Sequence, residues 1–224
     1  MKFLYLLGAG GHMKQVIDIL EMKNMLIRGI FDDNINKIGK TFYRDYRIID
    51  TIDNARRHLQ SRDKLFCGIG DNFTRKKVQA IFKDFEFINV ISPFSRISEH
   101  VKLGKGNYIG HYVNISGDTV IGNGNIINDM SCITYDVTLG DYNHLCPLSV
   151  LSGAVKVGDL NLIGTKTNVN PYIKIGNQNV IGSGSAVIRD VKDNLVLAGV
   201  PCKIIRGKEP ESFLSRVFGK CLAG

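Results

Sequence analysis

The stretch ISEHVKLGKGNYIGHYVNISGDTVIGNGNIINDMSCITYDVTLGDYNHLCPLSVLSGAVKVGDLNLIGTKTNVNPYIKIGNQNVIGSGSAV, residues 97–187, carries an aliphatic residue at every sixth position. Ile97, Leu103, Ile109, Ile115, Ile121, Ile127, Ile133, Leu139, Leu145, Leu151, Val157, Ile163, Val169, Ile175, Ile181 and Val187 head sixteen hexapeptides with no insertion between them. The next residue is Gly in eight of them: Gly104, Gly110, Gly122, Gly140, Gly158, Gly164, Gly176 and Gly182. A short fixed period marks a solenoid, whose units bury their apolar side only by stacking on one another. Loops between ordinary strands vary in length and would break the count. Three short flat strands per turn predict a triangular coil of 18 residues with the aliphatic side chain pointing inward, a little over five coils in all. Two places before the aliphatic position stand small residues, Val or Asn: Thr119, Ser131, Val137, Asn143, Ser149, Thr167, Asn179 and Ser185. Such residues suit corners where side chains must fit tightly or hydrogen-bond in ladders.

Upstream the period changes. Lys2–Leu7 is a short apolar run, followed at once by Gly8-Ala9-Gly10-Gly11. From His12 to Met22 the apolar residues Met13, Val16, Ile17, Ile19 and Leu20 recur at helical spacing. Strand, glycine turn and helix in that order let the backbone approach a ligand and offer free N–H groups to an anion. A second strand over Leu26–Phe31 ends in Asp32-Asp33, where a nucleotide fold places a carboxylate for ribose hydroxyls. Met13 stands where the dinucleotide fingerprint wants its third glycine, so the turn points to a mononucleotide rather than a dinucleotide. Thr51–Gln60 reads as a helix, Lys64–Ile69 as a strand, Gly70-Asp71-Asn72 as a loop at a strand's carboxyl end, Phe73–Phe85 as a helix and Phe87–Ile91 as a further strand. Alternating strands and helices predict a small parallel sheet with its ligand beyond the strand ends.

The expected organisation is therefore α/β followed by all-β. Residues 1–92 form a small Rossmann-like domain, too short for a hydride-transfer enzyme with its own substrate domain. Residues 93–192 form a parallel β-helix and residues 193–224 a capping tail, in which Glu209–Phe218 reads as a terminal helix.

Bulk properties bound the function. The formal charge of +8 over 224 residues is uneven. Residues 1–96 hold 17 Lys+Arg against 11 Asp+Glu, residues 97–192 hold 7 against 7, and the tail holds 5 against 3. There is no Trp and no basic stripe interleaved with aromatics, which argues against nucleic acid; a small polyphosphate ligand suits the positive ends. No run approaches the ~20 apolar residues of a membrane span, and the start MKFLYLLGAGGH reads as strand and turn, not as a signal peptide. Five scattered cysteines, Cys67, Cys132, Cys146, Cys202 and Cys221, with no CxxC pair, read as reduced thiols of a cytoplasmic protein.

Taken together, Gly8-Ala9-Gly10-Gly11-His12, Phe31-Asp32-Asp33-Asn34, the Ile69-Gly70-Asp71-Asn72 loop with Arg75, the unbroken hexapeptides and the closing Ala198-Gly199-Val200-Pro201-Cys202-Lys203 resemble the nucleotide-sugar acetyltransferases built on a left-handed parallel β-helix. Sialic-acid O-acetyltransferases and UDP-4-amino-sugar N-acetyltransferases are among them. The resemblance spans about residues 1–206. It implies a homotrimer with active sites between subunits, acetyl-CoA in the groove between neighbouring β-helices, and the UDP part of the sugar on the N-terminal domain, with no metal. Carried over by motif, Gly8, Gly10, Gly11 and His12 would line the diphosphate and sugar, and Asp32 and Asp33 would face the uridine with Ile69, Gly70 and Arg75 close by. On the CoA side it implies His144, Gly153, Gly164, Thr165, Gly182 and Ser185, with Lys203 and Arg206 as phosphate contacts.

One position departs from the family. Its members carry a histidine base in a segment like I-x-H-[DE] and a second histidine nine residues on. Here the segment is Ile133-Thr134-Tyr135-Asp136, followed by His144. A phenol with pKa near ~10 is a poor base at neutral pH. A sugar hydroxyl needs a base to attack a thioester, whereas a sugar amine with a pKa of about 8, by analogy with an α-amino group, is already partly neutral. Positioning and an N–H contact to the oxyanion supply further rate. The change favours N- over O-acetylation, and the resemblance then implies a UDP-linked 4-amino-4,6-dideoxy sugar as acceptor, with Tyr135 orienting the amine, Asp136 attracting its ammonium form, and His144 contacting acetyl-CoA or relaying the proton. O-acetylation of a sialic-type sugar, a catalytically inert binding scaffold and a metal-dependent hydratase are the competing readings. The last would need a histidine cluster as ligands, and His100, His111 and His144 form no such pattern.

Overall fold

A computed structural model describes residues 3–207. The helix expected over Glu209–Phe218, and Cys221, lie outside them. The N-terminal unit is a six-stranded sheet of β1 (Leu4–Leu7), β2 (Ile27–Phe31), β3 (Thr41–Tyr43), β4 (Tyr46–Asp50), β5 (Lys64–Cys67) and β6 (Glu86–Phe87), in the order β3-β4-β2-β1-β5-β6. All neighbours run parallel except the β3–β4 hairpin, which the sequence reading had not picked out. Helix α1 (Gly11–Met22) buries Met13, Val16, Ile17, Ile19 and Leu20, the spacing of one apolar stripe. Helix α2 (Asn72–Ile81) stops short of the Phe85 expected from its pattern.

Two further expectations shift. The helix read over Thr51–Gln60 is a set of turns with a single 3-10 turn at Ala55–Arg57. Its first N–H groups are taken by side chains: Thr51 N donates to Asp50 Oδ1, Ile52 N to Asp33 Oδ1 and Asn54 N to Thr51 Oγ1. Such local bonds compete with a helix. The strand read over Phe87–Ile91 is split, with Glu86–Phe87 pairing to β5 and Val90–Ile91 pairing to Tyr108–Ile109 as the first rung of the solenoid.

The hexapeptides form a triangular parallel β-helix. From Val90–Ile91 to Asn168–Val169, each two-residue strand pairs in parallel with the strand 18 residues on, for example Ile126↔His144 and Cys132↔Val150. The first face runs from Val90–Ile91 to Leu195–Ala198 and ends on an antiparallel strand, Lys203–Gly207. Six strands from Arg96–Ile97 to Ala186–Val187 make the second face, and five from Lys102–Leu103 to Lys174–Ile175 the third. The aliphatic positions fill the core; only Ile97 and Leu103, in the first coil, are half-buried. After Val187 the coil becomes irregular but continues, through an Ile175↔Val191 bridge and Leu195–Ala198.

Positive φ recurs every six residues from Gly106 to Gly184, at Tyr112, Asp118, Met130, Asp136, Tyr142, Leu148 and on to Gln178. None of these corner residues is β-branched, as that conformation demands. A buried asparagine ladder offsets the cost at one corner. Asn107, Asn125, Asn143, Asn161 and Asn179 stand 18 residues apart, each nearly or wholly inaccessible to water. Each side-chain oxygen accepts the backbone N–H of the next: Asn125 N–Asn107 Oδ1 2.7 Å, Asn143 N–Asn125 Oδ1 2.8 Å, Asn161 N–Asn143 Oδ1 2.9 Å, Asn179 N–Asn161 Oδ1 2.8 Å. Outside it runs a second ladder, Asn123, Asp141, Asp159, Asn177 and Asp193, whose oxygens likewise accept backbone N–H groups one coil below.

The two units share a core. Val90, Tyr108 and Ile126, outward-facing on the first face, pack into the same cluster as the α1 stripe and Leu4, Leu6 and Ile30. On the other side of the sheet, Tyr5, Leu7, Phe31 and Leu65 meet Val78, Phe82, Ile52 and Ala55. No helix of the described residues is long and apolar enough to cross a membrane. The ladder makes a specific demand. Asn125→Ala strips the Asn143 N–H and the Gly140 carbonyl of their partners, and at ~1–3 kcal/mol for each orphaned group it is expected to lower unfolding stability by about 3 kcal/mol. Urea denaturation measures this; a loss below ~1 kcal/mol would show that the ladder does not carry the corner.

Candidate active site

The carboxyl ends of β1, β2 and β5 open onto a cavity of about 280 Å³. It is lined by Gly8, Ala9, Gly10, Gly11, His12, Asp32, Asp33, Asn34, Ile52, Gly68, Ile69, Gly70, Asp71 and Thr74. Eight of the nine residues expected to hold the sugar nucleotide, all but Arg75, therefore meet on one cavity. Gly8 has φ +93, and a Cβ there would lie 2.6 Å from Ile69 Cγ1, so only glycine closes this turn. At Gly10 and Gly11 a Cβ would meet nothing within 4 Å, so the backbone is bare toward open space. Gly10 is the N-cap of α1 and gives no side-chain cap, leaving first-turn N–H groups for an anion.

The departure at Met13 has a local explanation. Its Cε lies 2.5 Å from where Gly68 would carry a Cβ, so the glycine needed for close helix–strand packing sits on the end of β5 instead of on the helix. Asp32 braces the glycine turn, accepting Ala9 N at 2.6 Å and Asn34 N at 3.0 Å, and Asp33 accepts Ile52 N at 2.9 Å. Ala9, Asn34, Ile52, Gly68, Asp71 and Thr74 were missed from sequence. Asp71 and Thr74 carry a readable signal, an N-cap, with Asp71 Oδ1 accepting Thr74 N at 2.8 Å.

His12 lines the cavity, and His144 lies close to it, against the Gly70 backbone. His12 Nδ1 meets Gln15 Oε1 at 3.1 Å, and its ring stands edge-on to Tyr108 with centroids 4.5 Å apart. His144 occupies the first face of the β-helix, one coil above Ile126, and its imidazole hydrogen-bonds the Gly70 backbone. Both Nε2 atoms are sealed from solvent without a partner. Burial pushes His12 down to about 4, against the Gln15 hydrogen bond, with the Arg75 charge adding to the fall. Burial, then the charges of Arg75 and His12, push His144 down to about 3, against the Gly70 bond. Both rings are neutral near pH 7; His12 lines the cavity, and His144 lies behind its Gly70 wall.

The remaining expectations divide. Arg75, expected beside the uridine, is 1% exposed with its guanidinium spent on backbone carbonyls and Asn72, so it cannot touch a ligand directly. Ser185, expected on the cofactor, is 1% exposed, donates to Gly182 O at 2.6 Å and accepts Gly199 N at 3.2 Å; its hydroxyl closes a corner. Gly164 and Gly182 are packed against the coil above, where a Cβ would meet Ser183 N at 2.5 Å and Ala198 Cβ at 2.8 Å. With half-buried Thr165 and exposed Lys203 and Arg206, they follow the first face upward from His144. Tyr135 is 57% exposed and its ring covers Gly153, whose Cβ would lie 2.6 Å from Cζ. Tyr135 and Asp136 turn the corner between the second and third faces, whereas His144 is on the first. A single chain therefore does not bring Tyr135 and His144 to one point. Among the described residues no group of His, Cys, Asp or Glu could hold a metal ion.

Comparison with known proteins gives the family. Residues 3–82 match the PglD N-terminal domain. PerB of Caulobacter crescentus, solved with CoA and GDP-perosamine, is 30% identical with a TM-score of 0.82, over 92% of this chain and 98% of its own. The acetyltransferase domain of PglB from Neisseria gonorrhoeae, 22% identical over 92% of this chain and all of its own, shares the fold with a TM-score of 0.84. Uncharacterized protein L142 of Acanthamoeba polyphaga mimivirus is 44% identical over 108 residues, which is 48% of this chain; the match takes in about a fifth (21%) of that relative's length. The chain belongs to the left-handed β-helix sugar N-acetyltransferases, a family of acyltransferases; PerB has been solved with CoA and the PglB domain with acetyl-CoA.

The histidines set an acid limit on stability. Unfolded imidazoles bind protons near pH 6.5, but the folded ones only near pH 4 and 3. The unfolded state thus binds more protons below about 6.5, and stability is present above that value and lost as pH falls toward 4. Thermal midpoints are expected to drop between pH 7 and 5, with a shallower slope in His144→Gln; an identical slope would contradict neutral burial.

Proposed function

We propose that this protein transfers the acetyl group of acetyl-CoA to the amino group of a UDP-linked 4-amino-4,6-dideoxy sugar. The observation that carries the reading is the convergence of the glycine turn, the Asp32-Asp33 pair and His12 on one cavity, with a second neutral histidine, His144, against its Gly70 wall. At about 280 Å³ the cavity lies at the lower end of small-molecule sites. Gly8, Gly10, Gly11 and the start of α1 receive the diphosphate, Asp32 and Asp33 the uridine, and Ile69 and Gly70 close the side of the cavity next to His144.

Chemically, the neutral amine attacks the thioester carbonyl, a C–N bond forms, the C–S bond breaks, and the amine's surplus proton ends on the departing thiolate. A buried imidazole held near 3 is a weak base, so His144 does not store the proton; it reaches the amine at Nε2 and orients the nitrogen lone pair once the bound sugar opens the wall that seals that atom in this structure. A hydroxyl acceptor would need a stronger base than this, which favours the amine over O-acetylation. Acetyl-CoA lies along the first face above His144, past Gly164, Thr165 and Gly182, with Lys203 and Arg206 on its phosphates. That track spans four strand steps, or about 19 Å at ~4.8 Å each. Tyr135 and Asp136 complete the site from a neighbouring copy in a homotrimer, with Gly153 beneath the Tyr135 ring, because the corner they occupy is remote from His144 in one chain.

Incubating the protein with acetyl-CoA and a panel of UDP-, dTDP- and GDP-linked amino sugars, read by mass, tests the assignment. One added acetyl group on the UDP-4-amino sugar is expected; acetylation of the dTDP or GDP sugars alone would overturn the nucleotide. Removing His144 (His144→Ala) is expected to lower kcat by about 10²-fold, with Tyr135→Phe and Asp136→Ala losing about 10-fold. Near-wild-type rates in all three would sink these roles.

A further inference from the structure

Arg75 is buried and cationic. Its five N–H donors all go to neutral oxygens. Nε donates to Gly124 O at 2.7 Å, Nη1 to Ile69 O at 2.9 Å and Gly70 O at 3.0 Å, and Nη2 to Asn72 Oδ1 at 2.7 Å, with Tyr142 O and Asn143 O each at 3.3 Å. Among the described residues no carboxylate forms an ion pair with it; Asp71 acts on it only through space. Burying a charge in this way is costly, and the carbonyls it reaches say what the arrangement achieves. Ile69 and Gly70 form the side of the nucleotide cavity. Tyr142 and Asn143 are the two residues before His144, and Gly124 is one coil below Tyr142. One rigid, planar group thus spans the substrate loop and the cofactor face.

We propose that Arg75 is a positioning residue: its guanidinium ties the Ile69–Gly70 side of the nucleotide cavity to the strand that carries His144, so that a sugar held on one is set at a fixed distance from an acyl group held on the other. The role rests on the acetyl-transfer reading above and adds a residue that acts without touching either ligand. Asn72 supports it from the other side, accepting from Nη2 and donating through Nδ2 to Asn161 O at 3.0 Å, one coil above Asn143. The charge has a second effect, since it lies close enough to both His12 and His144 to disfavour their protonation. An ammonium at this position keeps the charge but offers three donors without the planar fork, so Arg75→Lys separates the mechanical role from the electrostatic one.

The test measures binding and turnover separately. For Arg75→Lys, calorimetric Kd values for UDP alone and for CoA alone are expected within about 3-fold of wild type. Its kcat is expected to fall about 10- to 100-fold, as misplaced reactants do. Asn72→Ala, which removes the Nη2 acceptor and the donor to Asn161 O, serves as the second arm and is expected to show the same pattern at about 3- to 10-fold, with the exposed Lys77→Met unchanged. If kcat falls and both Kd values rise together, in step with a lowered thermal midpoint, Arg75 is only structural and the proposal is overturned. If the wild-type chain acetylates no amino sugar, the acetyl-transfer reading fails, but the coupling is still decided by NMR of the histidine Cε1 signals. UDP is then expected to move the His144 signal in wild type and not in Arg75→Lys. An unmoved wild-type signal refutes the coupling.

Discussion

The structure depends on one register, the 18-residue step by which each coil lies on the last. It stacks every chemical position of the sequence into rows. On the first face the outward row is Val90, Tyr108, Ile126, His144 and Leu162. The first three are buried in the cluster that receives helix α1. The fourth is a histidine, placed where that apolar contact ends and the cavity begins. A shift of one residue in any coil would turn this row to the interior and undo the domain contact and the site together. The asparagine ladder and the left-handed corners hold the step, since each side-chain oxygen is matched to a backbone N–H one coil away.

The docking of the two units explains why chemistry settles at their junction. Either unit alone would expose apolar surface along α1 or along Tyr108 and Ile126. Joined, they bury these residues and trap polar groups at the margin, where His12, His144 and Arg75 lie close together with little water. Low polarity there holds the imidazoles neutral and strengthens each remaining dipole. The same burial that stabilises the interface therefore prepares acceptors suited to an amine, and the charge at Arg75 reinforces it.

Much of this was legible in the chain. The sixteen hexads required the solenoid, and Gly8, Gly10, Gly11, Asp32, Asp33, Ile69 and Gly70 were read onto one cavity because strand, turn and helix place them there by local rules. The asparagines were seen only in part: Asn143 and Asn179 stood out as corner residues, while the ladder through Asn107, Asn125 and Asn161 emerges only when residues 18 apart are stacked. Arg75 was misread because its partners, Gly124, Tyr142 and Asn143, lie 49 to 68 positions away, and a charged residue in a helix's first turns looks solvated until another domain covers it. Ser185 was misread for a similar reason, since an inward corner hydroxyl and an outward one share the same sequence. The Thr51–Gln60 helix failed on side-chain competition for its N–H groups, an effect that periodicity does not register.

The central claim is spatial: the nucleotide occupies the cavity around the glycine turn, and the acyl carrier follows the first face upward from His144. Backbone hydrogen–deuterium exchange, recorded with UDP, with CoA and with both, tests it most directly. UDP is expected to slow exchange around Gly8–His12, Asp32–Asn34 and Ile69–Asp71, and CoA around His144–Cys146 and Gly164–Thr165. Protection by CoA confined to the N-terminal sheet, or by UDP confined to the β-helix, would contradict the account.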